Sequence, residues 1–377
     1  MVKSGKLLRS LIRAGTRTAK LFAAAAAPPK PKRAAAKRAA AKPHAATPLT
    51  KPRAAPVAKP AAARPAKPTT ARTAAAPSPV APGKWLSSHV PTAGGQRMNY
   101  WLYLPNNVPE RAASKGLPLI VMLHGCQQTA TQLAQGTRMN LWAEKKGYAV
   151  LYPQQLTSSH PHRCWKWYDR DTQHGGGDVP TIVGIIHKVL TQYPIDRSRI
   201  YVAGISAGAG MANILALNHP RLFAAVGLHS GPAFGAGHST LGALGVMRHG
   251  APGLRADVAV NEILQRHPQF PGMPTILIQG ESDYVVRPIN QVQLMRQSLL
   301  LNRLNEPAKV THKPRGRHNA HRLHDFYAGR KLVLRVAPIE QLEHAWSGGD
   351  PALAFNAKAG PDASKMMLEF FSRHQRT

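Results

Sequence analysis

Beyond about position 100, apolar residues arrive in short unbroken runs, separated by stretches where they recur at helical spacing. Residues 117–123 (Leu-Pro-Leu-Ile-Val-Met-Leu) hold no polar residue, the pattern of a strand covered on both faces. Residues 148–152, 200–202, 224–229 and 275–279 repeat it, residues 101–104 alternate as an earlier strand, and residues 331–336 predict another. Helical spacing runs over 137–146, 178–193 and 211–217, and residues 362–374 close the chain as a helix with Asp362 or Ser364 near its start. Strands alternating with helices predict an α/β fold, a mostly parallel central sheet with helices on both faces. Residues 232–273, rich in Gly, Pro and His, break that rhythm and predict an excursion over the edge of the sheet where a site would lie.

The first 83 residues follow other rules. Within 1–25, Leu8, Leu11, Ile12, Gly15 and Phe22 recur at helical spacing, with Arg9, Arg13, Arg17 and Lys20 on another face. That reads as a basic amphipathic leader for an anionic or apolar surface, or as a partly ordered basic segment. Its apolar part is short and mostly Ala, a poor match to a secretory signal. Residues 26–83 are Ala/Pro/Lys-rich low-complexity sequence that buries too little apolar surface to offset ordering, so a disordered linker is expected. The catalytic domain is then expected over 84–377. Charge follows the same division: of 50 Lys+Arg and 17 Asp+Glu (net +33), residues 1–84 hold 19 basic and no acidic side chains. Such a tail neutralises phosphates and binds nucleic acid non-specifically, or serves only as a solvated tether. Residues 26–83 contain no aromatic side chain to stack on bases. No apolar run reaches the roughly 20 residues of a membrane span.

Pattern and chemistry meet in Gly204-Ile205-Ser206-Ala207-Gly208. A strand pattern enters it and a helix pattern leaves it, the context of a nucleophile elbow, where only small residues fit around a strained serine. The alternative is a Gly-rich turn whose serine merely caps the helix. A serine hydroxyl needs a histidine base and an acid to orient it, in the chain order Ser, acid, His. Asp283, just past the 275–279 run, is the expected acid, with Glu281 as competitor and a solvated loop acid as the other reading. His344, in Glu343-His344-Ala345-Trp346 before the last helix, is the expected base. The backbone N–H groups of Ala207 and Cys126 are expected to form the oxyanion hole. Cys126 and Cys164 are either unrelated thiols or a bridge joining two loops. The aromatic segment Cys164-Trp165-Lys166-Trp167-Tyr168 is expected to wall a substrate pocket, with core packing as the alternative. His318, His321 and His324 sit in a basic polar segment and read as surface residues. With only Asp325 nearby and no Cys set, no metal is expected, and no cofactor either.

Leu123-His124-Gly125-Cys126-Gln127-Gln128-Thr129, Tyr152-Pro153-Gln154, Cys164-Trp165-Lys166-Trp167, the Ser206 motif with Met211-Ala212, Gly280-x-x-Asp283-x-x-Val286-x-Pro288-x-Asn290 and His344-Ala345-Trp346-Ser347-Gly348-Gly349 follow in that order. Together they resemble the polyhydroxybutyrate depolymerase family of esterases. The resemblance implies an α/β-hydrolase fold, Ser206 as nucleophile with Asp283 and His344, and Cys126 in the oxyanion loop. His124, Trp165, Trp167 and Trp346 are the expected pocket residues. The expected activity is serine-dependent hydrolysis of carboxylic esters through an acyl-enzyme, on hydroxyalkanoate polymers or oligomers, or on feruloyl or acetyl esters of plant polysaccharides. Many members are secreted. The resemblance therefore implies an extracellular location; the poor signal and the lack of a polymer-binding module after the catalytic domain give the alternative, a leader docked on an intracellular polyester granule. A different class of reading is a non-catalytic DNA- or granule-surface-binding protein with a vestigial hydrolase domain.

Overall fold

Six strands form a parallel centre because their residues are apolar on both sides. In the computed structural model, which describes residues 81–376 apart from 306 and 317, a ten-stranded sheet runs β1-β2-β4-β3-β5-β6-β7-β10-β9-β8. The strands are β1 (Lys84–Pro91), β2 (Arg97–Leu104), β3 (Leu117–Leu123), β4 (Ala149–Pro153), β5 (Ile195–Ile205), β6 (Ala225–His229), β7 (Thr275–Gly280), β8 (Lys309–Lys313), β9 (His321–Ala328) and β10 (Lys331–Ile339). From β4 to β10 all neighbours pair in parallel. Every residue of β3, β4, β6 and β7 is buried. The leader (1–25) and nearly all of the linker (26–83) lie outside the described residues.

Antiparallel ribbons close both edges. Neither β1 nor β8–β9 shows an unbroken apolar run, so neither was expected. The outermost β8, Lys-Val-Thr-His-Lys, is mostly exposed and carries a lysine at each end, charges that discourage further strand pairing. The reading of His318, His321 and His324 as surface holds for His318, which is exposed, and is corrected for His324. His324 in β9 is buried, and Asp325 accepts two hydrogen bonds from Arg335, at 2.7 and 2.6 Å.

Helices cover both faces. Ile182, Ile186 and Val189 of the helix Val179–Gln192 pack on one face with Leu119, Val121 and Val202. Leu368, Phe370 and Phe371 of the helix Ala363–Phe371 pack on the other with Ile120 and Tyr201. Asp362 caps that last helix, accepting from Lys365 N. The helix expected over 137–146 is in fact two, Ala130–Thr137 and Met139–Lys146, broken at Arg138, whose φ is 54°. A Thr129–Gln132 capping box starts the first.

The 232–273 excursion contains the helices Thr240–His249 and Arg255–Arg266. It is held by a helix the sequence pattern did not reveal, Ile289–Leu301, whose buried face includes Asn290 and Gln297. Those amides are the reason it escaped notice. They interrupt the apolar stripe because they bond the excursion's backbone, Asn290 at Ala233 N and Gln297 at Phe234 N and O and at Ala256 O.

Candidate active site

Strand β5 ends at Ile205 and a helix begins at Ala207, leaving one residue, Ser206, to turn the chain. Its φ of 57° and ψ of −124° are sparsely populated for any residue with a Cβ and cost on the order of 1–3 kcal/mol. The neighbours must be small. A Cβ on Gly208 would lie 2.1 Å from Leu123 O, and one on Gly204 would lie 2.4 Å from the backbone of Gly208. Ser206 N donates to His229 O at 3.0 Å, and Gly210 N to Ser206 O at 3.1 Å. Among the described residues no hydrogen bond occupies the Ser206 hydroxyl, and the residue keeps a sliver of exposure.

Asp283 follows β7, two strands from β5. Its carboxylate is buried and fully engaged: Oδ1 accepts from Val285 N and Val286 N, each at 2.9 Å, and Oδ2 accepts from Gln279 Nε2 at 2.9 Å. His344 Nδ1 lies 2.8 Å from the same Oδ2. The competing acid, Glu281, pairs with Arg322 on the surface. The loop bearing His344 follows β10, the parallel neighbour of β7. Ser206, Asp283 and His344 therefore all leave the carboxyl ends of one parallel sheet. An Asp-bound Nδ1 leaves Nε2 as the ring's free nitrogen.

His229, the last residue of β6, was not singled out from the sequence. It is fully buried, and its Nε2 accepts from Ser347 N at 3.2 Å, three residues beyond His344. With Nε2 an acceptor, Nδ1 carries the proton and donates to Ser230 Oγ at 3.1 Å. The ring stacks on Trp346 at 5.0 Å. Burial pushes its pKa down to about 3, and the His344 ring adds to that while Asp283 opposes it. A neutral imidazole thus joins β6, the neighbour of the elbow strand, to the His344 loop. The residue ending the strand beside the elbow was the available signal, and a lone histidine among 18 hid it.

The 126–129 loop on the other side of the elbow is braced just as heavily. Cys126 and Cys164 form a disulfide, which resolves the alternative left open by the sequence. Gln127 N donates to His162 O at 2.6 Å, and Gly125 N to Gln128 Oε1 at 2.9 Å. His124 is buried, with Nδ1 2.8 Å from Gly125 O and Nε2 accepting from Gln155 N at 3.1 Å. Burial lowers its pKa to about 4, the Gly125 contact opposing and Arg163 adding. A Cβ on Gly125 would stand 3.4 Å from Ser206 Cβ, so this loop passes directly against the serine. The amides of Cys126 and Ala207 donate to no acceptor among the described residues.

The expected pocket wall is corrected. Trp165 and His124 are fully buried, Trp346 is 1% and Trp167 4% exposed, so these four side chains brace the site from behind. Trp165 Nε1 donates to His124 O at 3.0 Å. Trp167 packs on the elbow helix, where a Cβ on Gly210 would meet its own Cβ at 2.8 Å. Trp346 Nε1 donates to Ser364 Oγ at 3.2 Å. Composition alone cannot separate an aromatic wall from an aromatic core. Among the described residues no group of three or more His, Cys, Asp and Glu is placed to hold a metal ion, and no helix is long and apolar enough to cross a membrane.

A family model described as esterase PHB depolymerase matches residues 98–319, which include Ser206 and Asp283. Poly(3-hydroxyalkanoate) depolymerase C of Paucimonas lemoignei is 32% identical over 200 residues, 52% of this chain and 46% of its own length. Feruloyl esterase B of Neurospora crassa is 36% identical over 146 residues, 37% of this chain and 49% of its own. The chain thus spans about half the length of these relatives. Among solved structures, an acetyl xylan esterase from Aspergillus awamori superposes with a TM-score of 0.60 at 19% identity, over 76% of this chain and 99% of that one. That likeness identifies the fold as that of the α/β-hydrolases.

Proposed function

We propose, for a chain that belongs to the esterase PHB depolymerase family, serine-dependent hydrolysis of carboxylic esters by Ser206, His344 and Asp283. The observation that carries this reading is the strained Ser206 elbow at the same end of the sheet as buried Asp283 and its half-buried partner His344. Ser206 Oγ attacks the ester carbonyl carbon and its proton passes to His344 Nε2. The carbonyl oxygen becomes an oxyanion held by the amides of Ala207 and Cys126. As the C–O bond breaks, His344 returns the proton to the departing alkoxide, releasing the alcohol. Water then attacks the acyl-enzyme by the same route, and the acid leaves as Ser206 recovers its proton. Asp283, pinned by three other donors, holds the His344 ring by Nδ1 and leaves Nε2 to exchange the proton with the serine.

The rim favours an apolar acyl chain. Tyr284, Val285 and Ile289 beside Asp283 are exposed, as are Leu241 and Leu244 on the excursion. Arg287 N and Asn290 Nδ2 donate to Met247 O, fastening that excursion helix to the Asp283 loop. Such a surface suits hydroxyalkanoate polymers or oligomers, which carry few hydroxyls. Relatives named as acetylxylan and feruloyl esterases support a second reading, an acetyl or feruloyl polysaccharide ester. We assign the catalytic unit to residues 84–377. The basic residues 1–84 are assigned to docking on an anionic surface, a polyester granule or nucleic acid.

The test is Ser206→Ala, which leaves the fold intact and abolishes turnover of a p-nitrophenyl ester and labelling by a serine-directed phosphonate. Retained turnover would refute the assignment; failure of the unaltered protein to label would favour a vestigial domain. A panel of amorphous polyhydroxybutyrate and of feruloyl and acetyl sugars separates the two substrate readings. Removal of residues 1–80 changes granule or DNA binding and leaves soluble-ester turnover as it was.

A further inference from the structure

At the opposite end of the sheet from Ser206 lies a groove of about 740 Å³ between the helix Val179–Gln192 and the segments that lead into β6 and β7. Five of its lining side chains are cationic or become so on protonation: His187, His219, Arg221, Arg266 and His267. None of its lining residues is a carboxylate. Among the described residues the two guanidinium groups bond only neutral amide oxygens, Arg266 to Asn218 Oδ1 at 3.1 Å and Arg221 to Gln269 Oε1 at 3.4 Å. Arg376 adjoins them, donating to Pro220 O. With no carboxylate in the lining, the Arg221 and Arg266 charges at one concavity repel one another unless an anion enters, and each histidine that gains a proton adds to that. The helix Ala207–Asn218 ends here, but its terminus supplies only about half a negative charge. The lining also includes the apolar side chains of Val183, Leu222 and Pro268.

We propose that this groove is a second, non-catalytic site that binds a phosphate-type oxyanion, the head lying between Arg221 and Arg266 and any organic body against Val183, Leu222 and Pro268. Paired arginines with adjacent histidines match the geometry and charge of such a head. Those apolar side chains give an organic phosphate an added contact that inorganic phosphate lacks. Burial and the facing cations hold the His219 and His267 rings down: His187 and His267 act on His219, Arg266 and Arg221 on His267. These rings are therefore mostly neutral at pH 7.5 and gain charge as pH falls, strengthening the site.

The test is calorimetric titration of the full chain with inorganic pyrophosphate and, separately, phenyl phosphate, neither of which is a carboxylic ester. The tail also binds anions, so the readout is the difference between the unaltered protein and the Arg221→Ala/Arg266→Ala variant. Weakening of at least one of these anions by tenfold or more in the variant, with turnover of a soluble ester unchanged, is the expected result. Tighter binding at pH 5.5 than at 7.5, reduced in His219→Gln/His267→Gln, accompanies it. A response to pyrophosphate alone assigns the groove to a polyphosphate head, and a response to phenyl phosphate alone assigns it to an organic phosphate. Identical isotherms for variant and unaltered protein with both anions overturn the proposal.

Discussion

His124 and His229 are counterparts across the elbow strand. His124 directly follows β3 and His229 ends β6, both strands adjacent to β5; each is fully buried, and each accepts a backbone N–H at Nε2, from Gln155 at 3.1 Å and from Ser347 at 3.2 Å. Each lies against a tryptophan, Trp165 at 5.3 Å and Trp346 at 5.0 Å. The difference is in what else holds the loop. The His124 side has a covalent tie, Cys126–Cys164, and the Gln127–His162 bond. The His344 side is held by Asp283, by His229 with Trp346, and by Trp346 N to Phe355 O at 2.7 Å and Ser347 Oγ to Pro361 O at 2.6 Å. One side of the site thus has a covalent tie, and the other rests on non-covalent contacts alone.

Unequal losses should follow when either imidazole is removed. His229→Ala leaves Ser347 N without its acceptor and opens a cavity under Trp346, so the His344 ring loses its placement. A misplacement of about 1 Å costs on the order of 100-fold in rate, and the fall is expected in kcat with KM little changed. His124→Ala, with the disulfide still holding its loop, is expected to lose roughly tenfold, a fraction of the roughly 100-fold or more that a wholly lost oxyanion donor costs, since the proposed Cys126 donor is loosened and not removed. Steady-state kinetics on a soluble ester measure both. Equal losses would break the comparison. In Cys126→Ser/Cys164→Ser, closing a loop of 38 residues no longer restricts the unfolded chain, a loss of about 3–4 kcal/mol. His124→Ala in that background should then rival His229→Ala.

A smaller shared effect comes from pH. Both rings have native pKa values held below the ordinary 6.5, at about 4 and about 3. Between those values and 6.5 the unfolded chain binds more protons than the native one, so stability is complete above about pH 6.5 and falls as pH drops. Each ring removes about 2 kcal/mol by pH 5. His324 and His374, likewise held to about 4 by burial, add to the slope. Urea midpoints from pH 7.5 to 5 should therefore decline, and His124→Gln and His229→Gln should each flatten the decline. A slope unchanged by both substitutions would contradict the neutral-imidazole account.

The two histidines also mark where sequence reasoning succeeded and where it stopped. His124 was noticed because it precedes a Gly-Cys pair in a loop of recognisable spacing, yet it was expected to face substrate. The elbow was legible because sterics at Gly204 and Gly208 tolerate no other residue, so the requirement is written in the sequence. The parallel strands were legible because burial on both faces demands unbroken apolar runs. His229 offered no such constraint: a histidine at a strand end looks the same whether it accepts one backbone N–H or points to water. Edge strands β1, β8 and β9 have one dry face at most and carry polar residues, which erases the signal. The helix Ile289–Leu301 was hidden by the amides with which it bonds the excursion.

The least costly substitution is also the most discriminating for the His229 side. Ser230 Oγ is the partner of His229 Nδ1 at 3.1 Å, and through it fixes the tautomer that leaves Nε2 free for Ser347. Ser230→Ala removes that partner with almost no change in volume. The buried Nδ1–H is then unsatisfied, a cost of about 1–3 kcal/mol. The other tautomer would place a proton on Nε2, facing the Ser347 N–H, and two donors cannot bond each other. The ring therefore keeps its tautomer and tolerates the loss. The expected result is a protein less stable by that amount, with kcat reduced less than tenfold. Urea denaturation and initial rates on the same preparation check the two halves. If kcat instead falls as far as in His229→Ala, ring orientation and not the Nε2–Ser347 bond governs the His344 loop.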